Sequence, residues 1–284
     1  METPVFAPGL LAGRVALVTG GGSGLGLSMA RTFADLGARV AIIGRNEERL
    51  AAAAPHIDAS GERVLAVPAD VRDPEAVQLA VDQITEQWGE VAILVNNAAG
   101  NFLAATEDLS ANAFNAIVQP VLYGTFHATL AVGRRLIASG RGGVILNILT
   151  TYAWTGSAFV VPSAAAKAGV LAMTRSLAVE WATYGIRVNA IAPGPFPTEG
   201  AWQRLMPTPE LEAGGLARIP VGRFGRHEEL ANLAAFLVSD AAPYITGECV
   251  TIDGAAWLAS GGLFNGLAGA PREALKQKLR DVRR

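Results

Sequence analysis

The chain has 284 residues, 51% of them hydrophobic and 17% charged, with a formal net charge of -2. This composition suits a packed globular protein and excludes a disordered one, and the near balance of charge offers no broad field to nucleic acid or an anionic membrane. A single cysteine, Cys249, excludes an internal disulfide and suits a reducing, cytoplasmic setting, while His56, His127 and His227 are too scattered for a metal site.

The N-terminal stretch METPVFAPGLLAGR has no basic region ahead of its apolar residues, so it does not read as a signal peptide. A first strand is expected at RVALVTG (14–20), leading through TGGGSGLG into a helix over 24–36. RVAIIG (39–44) and a helix over 46–54 follow, then RVLAVPAD (63–70) and a helix over 74–88 that Asp73 is placed to cap. VAILVNNA (91–98) precedes a long helical stretch over 110–138. GGVILNIL (142–149) opens a stretch, 142–166, without charge. Gly, Thr, Asn, Ser and Pro punctuate it, so it reads as a buried strand and loop and not as a membrane span. A helix over 162–183, IRVNAIAPG (186–194), a helix over 227–239 and CVTIDG (249–254) complete the series, and the tail DVRR is no peroxisomal address.

Seven nearly continuous apolar strands separated by helices predict an α/β fold, a doubly wound parallel sheet with helices on both faces. Its ligand crevice would open beyond the C-terminal ends of the strands. No linker or repeat divides the chain, so one domain over 1–284 is expected. Segment 195–226, rich in Pro, Gly and Met with weak periodicity, is read as a lid over the crevice, and 257–284 as a C-terminal extension.

TGGGSGLG, Thr19 to Gly26, joins the first strand to the first helix. Glycines there allow a tight turn, and a helix N-terminus presents N–H groups to a diphosphate. A carboxylate after the second strand would hold the 2′-hydroxyl of NAD; here Gly44 is followed by Arg45, which favours the 2′-phosphate of NADPH unless Arg45 is only a solvated cation. Asp70, at the end of the third strand, is placed either to accept from an adenine amino group or to cap the next helix. Farther on, Ser163 and Lys167 lie four residues apart and share one helix face.

TGGGSGLG, NNAAG (Asn96 to Gly100), Lys167 and APGP (Ala192 to Pro195) together resemble the short-chain dehydrogenase/reductase family over about residues 12–256. The resemblance implies a seven-stranded Rossmann sheet, a nicotinamide cofactor and a homotetramer. Cofactor contacts would come from Thr19, Gly20, Gly22, Ser23, Gly24, Leu25, Gly26, Arg45, Asp70, Val71, Asn97, Lys167, Pro193, Gly194, Phe196 and Thr198. Lys167 would hold the nicotinamide ribose and lower the pKa of a neighbouring acid. That acid is usually a tyrosine four residues before the lysine, where this chain has Ser163, and Thr150 stands where the family carries a catalytic serine. Of the four tyrosines, Tyr184 and Tyr244 lie far from the site, leaving Tyr152, just after the fifth strand, and Tyr123.

Serine in the tyrosine slot and a tyrosine after the fifth strand is the arrangement of the 2,4-dienoyl-CoA reductases of the mitochondrial type. The chain resembles these further in NNAAGNF, GSAFVVPSAAAKAGV, ELANLAAFL and GLFNGL. The resemblance implies NADPH-dependent reduction of 2,4-dienoyl-CoA to 3-enoyl-CoA in the β-oxidation of unsaturated fatty acids. Tyr152 and Asn101 would share the thioester oxygen, Ser163 and Lys167 would support them, and Arg72, Phe102, Ser110 and Arg204 would contact the acyl-CoA. One departure concerns the long helix, where the family's N-G-T asparagine is replaced by Tyr123 and Pro120 stands upstream. Pro120 is expected to kink the helix, and Tyr123 either packs as core or replaces the lost polar contact. Two rival readings remain, a reductase of enoyl or 3-oxoacyl thioesters and a catalytically silent NADPH-binding protein.

Overall fold

The computed structural model describes residues 5–198, 202, 206 and 208–281. Seven parallel strands form one sheet: β1 (Val15–Thr19), β2 (Arg39–Gly44), β3 (Val64–Pro68), β4 (Ile93–Asn96), β5 (Gly143–Ile148), β6 (Ile186–Pro193) and β7 (Cys249–Ile252), in the order β3-β2-β1-β4-β5-β6-β7. The strands are almost wholly apolar because helices cover both faces. Along β1, Ala16 and Val18 pack with α1 (Gly24–Asp35), α2 (Glu47–Ile57) and α9 (His227–Val238), while Val15 and Leu17 pack with α3 (Pro74–Trp88), α5 (Gly124–Ser139) and α7 (Val161–Glu180). The order reverses between β1 and β4, so the exits of these two strands border the crevice of the doubly wound Rossmann-like fold.

A buried polar ladder fixes the register beneath that crevice. Asn96 of β4 stands opposite Asn147 of β5 and donates to its Oδ1 at 2.9 Å and to Thr129 Oγ1 at 3.0 Å. Asn147 Nδ2 in turn donates to Thr174 Oγ1 of α7 at 2.8 Å. All four side chains are buried, so these bonds anchor α5 and α7 on the sheet at fixed heights.

Several element boundaries depart from the sequence reading. The helix expected over 110–138 is broken into α4 (Ala111–Val118), a π turn (Gln119–Tyr123) and α5. Pro120 has no N–H to donate, and the widened turn follows. The turn directs Leu122 inward, where a Cβ at Gly169 of α7 would meet it at 3.0 Å, and leaves Tyr123 exposed. Tyr123 is therefore neither core nor a substitute polar contact. Helix α2 continues past Pro55 to Ile57, because burying Ile57 beside Leu50 and Ala53 outweighs one lost hydrogen bond on the solvent side. Segment 195–226 contains a helix, α8 (Pro209–Ala217), capped by Thr208. Beyond β7 lie α10 (Ala256–Gly261) and α11 (Arg272–Asp281). Among the described residues no helix is long and apolar enough to cross a membrane.

Candidate active site

The turn from β1 to α1 is drawn tightly against the exit of β4. Thr19 Oγ1 accepts the N–H groups of Asn97 and Ala98, both at 2.9 Å, and Asn97 Nδ2 returns bonds to Thr19 O and Gly20 O at 3.1 and 3.3 Å. Gly20 has φ +66°, and a Cβ at Gly26 would lie 2.4 Å from Gly20 O. Only glycine fits either place. Gly21, absent from the expected contacts, is needed for packing, since its Cβ would lie 2.4 Å from Ile42 Cγ2; Gly22 has more room. The Ser23 hydroxyl makes no cap bond, Leu25 follows in α1, and no acidic residue occupies that helix's first turn. This N-terminal end therefore keeps its positive dipole for an anion, as a dinucleotide diphosphate requires. Thr198 Cγ2 would stand 3.2 Å from a Cβ at Gly24, so the chain leaving β6 through Pro193 and Gly194 comes back to this turn. Phe196 is buried over Gly225, whose Cβ would lie 2.3 Å from the ring.

At the far end of the cradle Arg45 is exposed, and Arg45 and Asn46, with no carboxylate, directly follow β2. Asp70 and Arg72, assigned by sequence to adenine and to acyl-CoA, instead pair with each other: Arg72 Nη2 donates to Asp70 Oδ2 at 2.6 Å and Nε bonds both carboxylate oxygens. The bonds from Arg72, with a weaker contribution from Arg45, hold the Asp70 carboxyl below its usual range. Asp70 does not cap α3; Asp73 does, accepting from Glu75 N and Ala76 N. Arg49, which the sequence reading missed, has its Cγ 3.5 Å from where a Cβ at Gly22 would sit, so its stem flanks the glycine turn. Its spacing of four from Arg45 was the available signal. Val71 is buried and its carbonyl accepts from His127 Nδ1 at 2.9 Å.

The chemistry-bearing side chains converge where β4 and β5 end. Tyr152, the first residue of the short helix α6 (Tyr152–Thr155), has its hydroxyl 3.0 Å from Ser163 Oγ and accepts from Asn101 Nδ2 at 3.1 Å. Asn101 Oδ1 accepts the Phe102 N–H at 2.9 Å, which orients the amide so that its donor faces the phenol. Burial pushes the Tyr152 phenol up, while the Ser163 and Thr150 hydroxyls pull weakly the other way. The phenol is thus held protonated, by burial first of all. Lys167 is buried one turn along α7 from Ser163, with Nζ donating to Ile148 O at the end of β5. Desolvation there depresses its ammonium to about 8.

Three of the four residues expected to meet acyl-CoA have partners within the fold. Arg72 is engaged by Asp70, Ser110 Oγ caps α4 by accepting from Ala113 N at 3.1 Å, and Phe102 packs on the Ile117, Val118, Val121 and Ala166 cluster. Arg204 lies outside the described residues.

The chain is similar to known proteins over most of its length. Residues 20–255 match a family model described as enoyl-(acyl carrier protein) reductase. The chain is 45% identical to a Bacillus subtilis protein named "Probable 2,4-dienoyl-CoA reductase [(2E)-enoyl-CoA-producing]", over 86% of this chain and 97% of the relative. It is 46% identical to the Caenorhabditis elegans "Probable 2,4-dienoyl-CoA reductase 3 [(3E)-enoyl-CoA-producing]", over 89% of this chain and 83% of the relative. The crystal structure of a gluconate 5-dehydrogenase from Burkholderia cenocepacia, in complex with NADP and tartrate, superposes with a TM-score of 0.82 at 34% identity, covering 87% of this chain and 96% of that one.

The depressed Lys167 pKa gives a stability test. Between about pH 8 and the ordinary lysine value of 10.5 the unfolded lysine holds a proton that the folded one has lost, so stability rises with pH across that window. Below it the buried charge costs roughly 3 kcal/mol. Lys167→Met should therefore raise urea-unfolding stability of the cofactor-free protein at pH 7, and its advantage should shrink as pH approaches 10.5.

Proposed function

The chain belongs to the short-chain dehydrogenase/reductase family of oxidoreductases, which use a nicotinamide cofactor, and we propose that it reduces 2,4-dienoyl-CoA thioesters to 3-enoyl-CoA with NADPH. The observation that carries this reading is the bonded set Asn101–Tyr152–Ser163, with serine where a ketoreductase would need its tyrosine. The glycine turn and the α1 N-terminus would hold the diphosphate, Lys167 the nicotinamide ribose, and Arg45 with Arg49 the 2′-phosphate. Bound NADPH supplies a hydride, which goes to the distal carbon of the diene.

Electron density then moves through the diene to the thioester oxygen. Tyr152 O–H and Asn101 N–H, already within hydrogen-bond reach of each other, converge on the position of that oxygen and stabilise the dienolate. A proton taken up at the α-carbon completes the 3-enoyl product. No alkoxide forms, so a phenol whose pKa burial has raised is adequate, whereas a ketoreductase must protonate an alkoxide. Ser163 holds the phenol in place, and Lys167 orients the cofactor.

The test is NADPH absorbance with a dienoyl-CoA, an enoyl-CoA and a 3-oxoacyl-CoA side by side. The dienoyl substrate should be turned over fastest; preference for the 3-oxoacyl-CoA would overturn the proposal. Tyr152→Phe keeps the ring and should lower kcat about 10²–10³-fold with NADPH affinity nearly unchanged. Tyr123→Phe, altering an exposed side chain, should behave as wild type. Arg45→Ala should weaken NADPH by about ten- to a hundredfold, the worth of one charge-assisted bond, and leave NADH affinity unaltered in a direct titration.

A further inference from the structure

Phe159 is one of two non-glycine residues with positive φ among the described residues, at +63°. That half of backbone space is unfavourable for any residue with a Cβ, and glycine would occupy it without penalty. Burial does not offset the cost, because the side chain is 60% exposed. A backbone suited to glycine therefore carries an aromatic ring that gains little from the fold.

The conformation is held from both sides. Phe159 O accepts the Ala104 N–H at 3.0 Å, joining the segment that carries Asn101 to the segment that leads into α7 and Ser163. That bond ties the Phe159 backbone to the segments that carry Asn101 and Ser163, the two partners of the Tyr152 hydroxyl. Leu103, Trp154 and Val161, each two residues along the chain from Asn101, Tyr152 and Ser163, are also exposed, so apolar side chains flank the polar set on every segment that builds it. An acyl thioester whose carbonyl oxygen sits at Tyr152 must lead its hydrocarbon tail out over one side of the site.

We propose that Phe159 is a specificity-determining residue whose ring receives the apolar tail of the acyl-CoA beyond the reacting carbons. The inference rests on the acyl-thioester reading above, but its test does not require turnover. Binding of free CoA, hexanoyl-CoA and decanoyl-CoA to the full chain loaded with NADP⁺ is measured by calorimetry. Hexanoyl-CoA ends just past the reacting carbons, and decanoyl-CoA reaches farther. Phe159→Gly should weaken decanoyl-CoA on the order of 4- to 15-fold, equivalent to returning one or two methylene groups to water, and change the two shorter ligands less than twofold. Phe159→Leu, which keeps apolar bulk, should retain most of the decanoyl-CoA affinity, and both variants should keep NADP⁺ affinity. Equal decanoyl-CoA affinity in wild type and Phe159→Gly overturns the inference, as does a change of oligomeric mass in Phe159→Gly with no change in acyl-CoA binding. If wild type binds decanoyl-CoA through Phe159 but reduces no dienoyl-CoA, the reductase reading fails and this one stands.

Discussion

The phenol of Tyr152 is partly withdrawn from water and held by groups from two other segments, and the rest of the site is arranged around that constraint. Asn101 comes from the exit of β4, Tyr152 from the exit of β5, and Ser163 from the first turn of α7. A buried hydroxyl without partners would cost free energy; with two it becomes a fixed dipole, which is what the proposed reduction would need where negative charge develops. Desolvation raises the phenol and lowers Lys167 to about 8, so the tyrosine stays protonated while the lysine keeps its buried charge at pH 7 only at a cost in stability.

Convergence of three segments requires β4, β5 and α7 to be held in register. The Asn96–Asn147 pair does so from inside the sheet, and its extension to Thr129 and Thr174 fixes α5 and α7 against it. These amides sit one layer below the crevice, where slippage by one residue would turn each of them to the wrong face. The glycine turn is fixed by the neighbouring segment, through Asn97 and Thr19, so the cofactor cradle and the polar set share the exit of β4. Movement of that exit would disturb both together.

Much of this was legible in the chain. The seven apolar runs, the glycine turn and the tyrosine placed after β5 follow from periodicity, spacing and the family resemblance, and the fold has them where they were expected. The failures have physical causes. Pro120 announced a kink, but that the widened turn sends Leu122 inward and Tyr123 outward depends on its packing against α7. Asp70 and Arg72 were each read as a ligand contact, and that they also pair with each other is a matter of rotamers the sequence does not show. Arg49 lay unnoticed in a helix of mixed charge, and α8 was obscured by weak amphipathicity. The positive φ of Phe159 leaves no trace in composition, since that position looks like any other apolar residue of its loop.

The relatives divide over the product, one named for a (2E)-enoyl and the other for a (3E)-enoyl thioester, and the division marks where the proton is placed after hydride transfer. On the proposed mechanism, a dienolate held at its oxygen by neutral Tyr152 and Asn101 would take its proton at the α-carbon. The most direct measurement is NMR of the product formed from 2,4-decadienoyl-CoA with NADPH deuterated at the transferred position. The account predicts one deuterium at carbon 5 and a double bond between carbons 3 and 4. A double bond between carbons 2 and 3, or deuterium anywhere but carbon 5, would contradict it.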